Sequence, residues 1–311
     1  MAVLISLDIG GTSIRAASYP LIGEEPVQHF KSTTSTPGET VFDRVCQSIR
    51  QVSPTGSEIK AIGVATAGPL DPHTGFIFDA PNIPGWKDFP LGERLQQEFH
   101  VPVVVENDAN MAAYGEWKFG AGVGHHDLLY LTISTGIGAG VISSDVLISG
   151  CRGLGAELGH VTVIPDGPLC SCGKRGHLEA ISSGPAIVSY YLQLLKEGGK
   201  STPLNNVLLS ARDVSLAAQA GDLLARKAFQ YAGSHLGLAL AGFIHIFNPS
   251  IIILGGGVSQ SGVLLTDPMM ERMRLEVMEP NYLKDLQVLP SKLGDDAGLV
   301  GILAFTRQTL S

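Results

Sequence analysis

Residues 157 to 179 concentrate the side chains with the most evident chemistry in this chain: Glu157-Leu158-Gly159-His160, then Cys170-Ser171-Cys172-Gly173, then Gly176-His177-Leu178-Glu179. Cys170, Cys172, His177 and His160 are borderline-soft nitrogen and sulfur donors that suit a tetrahedral zinc. Glu157 and Glu179 are carboxylates able to accept hydrogen bonds from the hydroxyls of a polyol. His160 can serve both purposes, because one ring nitrogen can bind a metal while the other faces a ligand. The stretch reads as a structural metal stiffening a polyol pocket. The competing reading is two reduced buried cysteines and two surface histidines; tight spacing inside a Gly-rich loop favours the metal.

The same stretch resembles the zinc and sugar motif of the ROK family, the bacterial sugar kinases and sugar-responsive repressors, in which a His precedes Cys-x-Cys-Gly-x-x-Gly-Cys-x-Glu. This chain departs from that pattern where the last cysteine is His177. The exchange keeps a zinc-competent ligand and moves its donor atom further from the backbone. Four protein ligands leave no open coordination position, so the resemblance implies a structural Zn²⁺.

The resemblance extends to a nucleotide site. Asp8-Ile9-Gly10-Gly11-Thr12 with Arg15 matches the family's first phosphate motif. Glycines let the backbone approach a polyphosphate, and successive N–H groups can point at its oxygens. Thr12 adds a hydroxyl donor, and Asp8 can hold the Mg²⁺ that bridges phosphate oxygens. Thr135-Gly136-Ile137-Gly138 reads as a matching clamp, and Gly255-Gly256-Gly257-Val258 resembles the family's adenosine-side turn. Each piece alone is a plain β-turn; their order and their placement at strand ends make the set informative. The chain lacks a G-x-x-x-x-G-K-[ST] loop, and no G-x-G-x-x-G opens a helix after the first strand, which argues against P-loop and dinucleotide folds.

On the sugar side, Val103-Val104-Val105-Glu106-Asn107-Asp108-Ala109-Asn110 puts polar groups at the end of an apolar strand, where α/β proteins keep ligand groups. Asp108 in this motif resembles the family's catalytic base, which takes the proton of the attacking sugar hydroxyl. Asn107 can donate to and accept from neighbouring hydroxyls. A helix N-cap is the plainer role for Asn107-Asp108, and the two roles are compatible. Pro81-Asn82-Ile83-Pro84-Gly85-Trp86 resembles the family loop whose Asn touches the sugar, and Gly68 lies in a segment whose backbone lines that pocket. Glu157, His160 and Glu179 complete the implied hydroxyl shell.

These groups need elements to carry them. Leu4 to Ser18 and Leu128 to Ser143 each read as strand, tight turn, strand, a weak internal repeat of β-hairpins. Helices are expected near Thr40–Val52, Leu91–Phe99 and Phe229–Phe247, and strands at Glu58–Thr66, Val101–Val105 and Ile251–Leu254. Two similar α/β halves suggest two lobes, and the resemblance implies the two-lobed actin-like, ribonuclease-H-like ATPase fold with a central interlobe cleft. The expected N-terminal lobe covers residues 1–117, with a C-terminal helix at 297–311 returning to it, and residues 118–296 form a larger lobe carrying the zinc motif.

Composition excludes several classes. At 311 residues with 44% apolar content, the chain can fill two cores. A formal net charge of −8 without a basic cluster leaves no electrostatic footprint for nucleic acid. The N-terminus runs directly into the strand Val3–Leu7 with no basic region before it, unlike a signal peptide. The most apolar run, Leu236 to Leu254, is broken by Asn248-Pro249 and does not read as a membrane span. Four cysteines, two of them in Cys-x-Cys, suit a metal in a reducing cytoplasm better than disulfides.

The expected activity is therefore an ATP- and Mg²⁺-dependent hexose kinase acting on the 6-hydroxyl, with glucose the leading acceptor because the full Glu157, His160 and Glu179 set is present. Kinases for N-acetylmannosamine, N-acetylglucosamine, fructose, mannose or allose are the alternatives, as is a non-catalytic sugar sensor; polyphosphate is an alternative donor. Only seven residues precede Asp8, too few for the DNA-binding domain of the family's repressors. The resemblance implies a homodimer or homotetramer.

Overall fold

The computed structural model describes residues 1–198 and 209–310. The apolar run at the N-terminus becomes β1 (Ala2–Ile9), buried along almost its whole length. Such burial requires cover on both faces, as in the parallel part of an α/β sheet. A tight turn leads to β2 (Ser13–Pro20), and β3 (Gln28–Thr33) follows with an exposed pattern that suits an edge. Next comes α1 (Val41–Val52), which opens with a capping box: Thr40 Oγ1 accepts from Asp43 N–H while the Asp43 side chain accepts from Thr40 N–H. Its apolar stripe of Val41, Phe42, Val45, Ile49 and Val52 is buried against the sheet.

The chain continues through β4 (Glu58–Thr66), a small antiparallel sheet of β5 (Leu70–Asp71), β6 (Phe76–Asp79) and β7 (Lys87–Pro90), then α2 (Leu91–Phe99), β8 (Val103–Asn107) and α3 (Asp108–Phe119). The first large sheet has the order β3-β2-β1-β4-β8. Its first three strands pair antiparallel, and β1, β4 and β8 run parallel. This is the ribonuclease-H-like strand order.

A second sheet repeats it. The chain runs through β9 (Leu128–Ile133), β10 (Ile137–Ser143), β11 (Val146–Leu147), α4 (Glu179–Ser182), α5 (Gly184–Lys196), α6 (Ala211–Gln219) and α7 (Leu223–Phe247). It ends with β12 (Ile251–Gly255), α8 (Val263–Glu276), β13 (Gln287–Pro290) and α9 (Ala297–Leu310). The order is β11-β10-β9-β12-β13, with β9, β12 and β13 parallel. The two hairpins of the sequence thus nucleate two sheets of one topology. The helix α7 starts earlier than its apolar pattern suggests because Asp222 caps it, accepting from Leu224 N–H at 2.8 Å and Ala225 N–H at 3.1 Å. It ends at Asn248, a left-handed C-cap before Pro249. No described helix is long and apolar enough to cross a membrane.

The chain packs as two compact units. One comprises Met1–Gly124, Gly140–Ala156 and Lys292–Ser311; the other comprises His125–Ala139 and Glu157–Ser291. This division differs from the single boundary at residue 117 read from the sequence, because Gly140–Ala156 belongs with the first unit. The reason is close packing: a Cβ on Gly140 would lie 2.4 Å from Ala113 Cβ and 2.8 Å from Ala109 O of α3. In the first unit α9 packs on β1, β4 and α3. Ser311 of the expected return segment, and residues 199–208 of the expected second lobe, lie outside the described residues.

Candidate active site and metal centre

In the first unit the sheet register lines up the expected nucleotide and sugar groups. Asp8 pairs with Ala65, which pairs with Glu106; one step on, Ile9 pairs with Thr66 and Thr66 with Asn107. Asp8 and Asn107-Asp108 therefore share the C-terminal edge of three parallel strands, the edge that carries ligand groups in α/β sheets. Asn107 is the N-cap of α3: its Oδ1 accepts from Ala109 N–H at 2.9 Å and Asn110 N–H at 3.1 Å. That leaves its amide NH₂ as a donor. Asp108, the first helical residue, accepts from Ala109 N–H at 2.8 Å. The protein packed around Asp108 raises its pKa, and the backbone N–H bonds only partly offset that desolvation.

The Asp8 carboxyl is pushed up to about 7, first by burial and then by the negative charge of Asp108, with Arg15 acting against both. Arg15 Nη1 lies 3.3 Å from Asp8 Oδ2, and its Nη2 donates to Asp295 Oδ2 at 2.8 Å. A carboxyl held up chiefly by burial, with a second carboxylate near it and a Gly-rich turn beside it, is the kind of group a divalent cation relieves. A carboxylate oxygen donor is of the chemistry that suits Mg²⁺.

The turn itself is tightly held. Gly10 N–H donates to Ser13 O at 3.0 Å, and Thr34 clasps it from β3's end, its Oγ1 donating to Gly10 O at 2.5 Å. Gly11 sits under the Asn82 loop: a Cβ there would be 2.8 Å from Asn82 Cβ and 2.9 Å from Asn82 O. Side-chain-free backbone at Gly11 is what lets the two loops touch. Thr12 is exposed at the turn. The Asn82 loop is closed by Ile83 N–H to Ala80 O at 2.8 Å and anchored by buried Trp86, stacked on Phe89 with centroids 5.3 Å apart. Gly68, at φ +100°, turns its backbone against Asp79 and Ala80, the residues that lead into that loop.

In the second unit the expected metal ligands converge. The ligand atoms of His160, Cys170, Cys172 and His177 lie within 4.8 Å of one another. Cys170 Sγ is 3.6 Å from His160 Nδ1, and Cys172 Sγ is 3.3 Å from His177 Nδ1. A tetrahedral zinc with bonds of ~2.3 Å to sulfur and ~2.0–2.1 Å to nitrogen separates unlike donors by roughly 3.6 Å. The donor set therefore fits zinc. His177 presents Nδ1, the ring nitrogen nearer the backbone, which minimises the extra reach of a histidine in a cysteine position. The loop is closed by isolated bridges Thr162–His177 and Leu169–Arg175, and its tip turns through Gly173 at φ +84°.

The same unit gathers the remaining groups. Glu157 is exposed and leads into the short 3-10 turn Leu158–His160. Gly159 packs on the turn Thr135–Gly138, where a Cβ would stand 2.0 Å from Ile137 O. Gly255–Gly257 follows β12 and is pinned beside the same turn, Val258 N–H donating to Ile133 O at 3.0 Å. Glu179 accepts from Ile137 N–H at 3.1 Å through Oε2 and from Ser171 Oγ at 2.7 Å through Oε1. Oε1 is also approached by Cys170 Sγ at 3.5 Å, while Oε2 keeps a further lone pair for a hydroxyl.

Sequence reasoning missed four participants. Ser171, the middle residue of Cys-x-Cys, could have been found as a polar group inside the motif. Glu106, quoted within the strand-end motif but given no role, holds Asn107 N–H at 2.7 Å and Asn110 Nδ2 at 3.3 Å. Thr34 and Asp295 lie far from their partners in the chain, and no local spacing signals them.

A model of the ROK family matches residues 4–309. The glucokinase of Thermotoga maritima is 37% identical, covering 99% of this chain and 98% of the relative. The xylose repressor of Bacillus subtilis is 31% identical, covering 96% of this chain and 75% of the repressor. A ROK family glucokinase from Streptomyces griseus, solved in complex with glucose and AMPPNP, is 37% identical with a TM-score of 0.82, over 98% of this chain and 99% of that one.

Proposed function

The chain belongs to the ROK family, and from that premise we propose that it is an ATP-dependent glucokinase, transferring the γ-phosphoryl group of ATP to the 6-hydroxyl of glucose. The observation that carries this reading is the placement of Asp108, a carboxylate of raised pKa at the start of α3, on the same sheet edge as Asp8 and the Gly10–Thr12 turn. Near full-length similarity to relatives named glucokinase supports the choice of sugar.

The proposed roles are those the family resemblance implies, and the geometry supports them. A sugar hydroxyl becomes a competent nucleophile when a neighbouring base accepts its proton as the phosphoryl group arrives. Asp108 is that base: ionised it accepts the proton at a free carboxylate oxygen, and its raised pKa makes it a stronger acceptor than a solvated aspartate. Asn107, fixed through its Oδ1 as the helix cap, offers its amide NH₂ to a hydroxyl. Asn82, Gly68, Glu157, His160 and Glu179 orient the remaining hydroxyls. A site built from several such groups rejects sugars lacking a matching hydroxyl, because buried donors and acceptors would be left unpaired.

The turns Gly10–Thr12, Thr135–Gly138 and Gly255–Gly257 supply backbone N–H groups to the nucleotide. Asp8 would hold Mg²⁺, which neutralises phosphate charge when bound. Zinc on His160, Cys170, Cys172 and His177 is structural and orders the loop that carries Glu179. Free cysteines throughout the described residues suit a cytoplasmic enzyme. Assembly as a homodimer or homotetramer follows the family resemblance, and light scattering tests it.

The deciding experiment is ADP release with Mg-ATP against a hexose panel that includes both N-acetylhexosamines. Turnover on glucose above the other sugars is expected. Preference for an acetamido sugar would replace glucose as the substrate, and turnover on none would remove the kinase reading. In the same assay Asp108→Asn is expected to lower kcat by roughly 10²- to 10⁴-fold without loss of fold. Near-normal turnover would remove Asp108 as the base.

A further inference from the structure

Ser171 stands between two of the metal-ligand cysteines and is not itself a member of the ligand cluster. It is exposed, yet its hydroxyl donates to Glu179 Oε1 at 2.7 Å. Cys170 Sγ approaches the same oxygen at 3.5 Å. The opposite oxygen, Oε2, accepts from Ile137 N–H at 3.1 Å. That oxygen also occupies the space beside Gly136, where a Cβ would stand only 2.5 Å away. A single carboxylate therefore bridges the loop of Cys170 and Cys172 to the turn Thr135–Gly138.

An exposed serine–carboxylate contact alone contributes little, because water competes for both partners. Here both ends are tethered. Cys170 and Cys172 flank Ser171, and His177 lies in the turn that leads into Glu179, whose backbone is set by Ala180 N–H to His177 O at 3.0 Å and Ser183 N–H to Glu179 O at 3.2 Å. With the four ligands gathered on one ion, neither partner loses much freedom when the hydrogen bond forms, so more of its energy is realised. The turn on the far side is also held at its ends, Ser134 N–H reaching Gly136 O and Gly184 N–H reaching Ser134 O, both at 2.8 Å, while its tip residue Thr135 is exposed; what Glu179 adds is the hold on Ile137 N–H.

We propose that Ser171 is a positioning residue through which the metal loop orders the turn Thr135–Gly138: it holds Glu179 so that the carboxylate stays on Ile137 N–H, and nucleotide affinity depends on that contact. The nucleotide part rests on the kinase reading; the ordering of the turn does not. Metal binding and nucleotide binding are then linked through one side chain, although Ser171 touches neither ligand.

The test uses the full-length, metal-loaded protein without sugar, as wild type, Ser171→Ala and Ser171→Thr. Two quantities are read: hydrogen exchange of the Ile137 amide, and the equilibrium Kd of a fluorescent ADP analogue. Metal content and Tm should match wild type in both variants. Ser171→Ala should speed Ile137 exchange and weaken nucleotide binding about three- to tenfold, the range one ordinary hydrogen bond can set. Ser171→Thr, which keeps the hydroxyl, should restore both, and chelated wild-type protein should exchange Ile137 as fast as Ser171→Ala. Unchanged exchange and unchanged Kd in Ser171→Ala would overturn the proposal, and exchange indifferent to chelation would overturn the role of the metal loop. A wild-type protein that binds no adenine nucleotide would count against the kinase reading, while the exchange rate of Ile137, which needs no ligand, still decides whether Ser171 orders the turn.

Discussion

Asp8 is held in a state that costs the fold something. Its carboxyl titrates about 7 instead of 3.8, because burial and the charge of Asp108 outweigh the help of Arg15. A carboxyl whose folded pKa is raised stabilises the native state fully below its unfolded pKa and loses that contribution as pH rises through the folded value. Stability should therefore fall between pH 3.8 and about 7 on account of this group. Asp8→Asn removes the ionisation. It is expected to be more stable than wild type at pH 8 and to lose that advantage near pH 4, read by urea unfolding at both pH values, while Mg-ATP turnover collapses. A variant no more stable than wild type at pH 8 would show that Asp8 carries no such strain. Greater stability at pH 8 with lost turnover is what a group retained for function against stability would give.

The metal loop is a short element with almost no regular secondary structure, and its order must come from elsewhere. Among the described residues it has two isolated bridges and a few turn hydrogen bonds to close it. A bound ion supplies folding free energy to such a segment. Cys172→Ser is expected to lose metal and to lower Tm by about 5 °C or more, with chelated wild type melting at the same lowered temperature. Equal melting temperatures with and without chelator would sink the zinc assignment. By contrast α3 is ordered by its own sequence: Asn107 caps it, and Gly120 ends it with its N–H on Glu116 O at 3.0 Å.

Within the first unit, segments distant in the chain are joined by one buried carboxylate. Glu116 accepts from Leu293 N–H at 2.8 Å through Oε1 and from Ala121 N–H at 2.7 Å through Oε2. Its side chain ties the end of α3 to the segment that returns as α9. Glu116→Ala would strand two partly buried backbone donors, at a cost of about 1–3 kcal/mol in unfolding free energy. Urea denaturation measures it; a loss under about 0.5 kcal/mol would mean that water takes over both donors. The family match, from residue 4 to 309, includes all of these segments.

Local patterns carried much of this protein in plain view. Two hairpins, the capped helix α1, the strand β4 and the helix α2 follow from short-range sterics, capping and apolar periodicity, and they appear close to where the sequence puts them. The clustering of His160, Cys170, Cys172 and His177 is legible because they come from one loop and its flank, where spacing constrains distance. Partners across the chain are different. Asp8 meets the influence of Asp108 through the register of β1, β4 and β8, which no local window contains. Thr34, Asp295 and Leu293 reach their partners by contacts equally distant in the chain, and Gly140–Ala156 joins the first unit because Gly140 packs on α3. The aim of Glu179, toward Ser171 and Ile137, is likewise set by packing. Residue type and spacing specify which chemistry is available; sheet register and close packing specify which groups meet, because those contacts form only once distant segments are brought together.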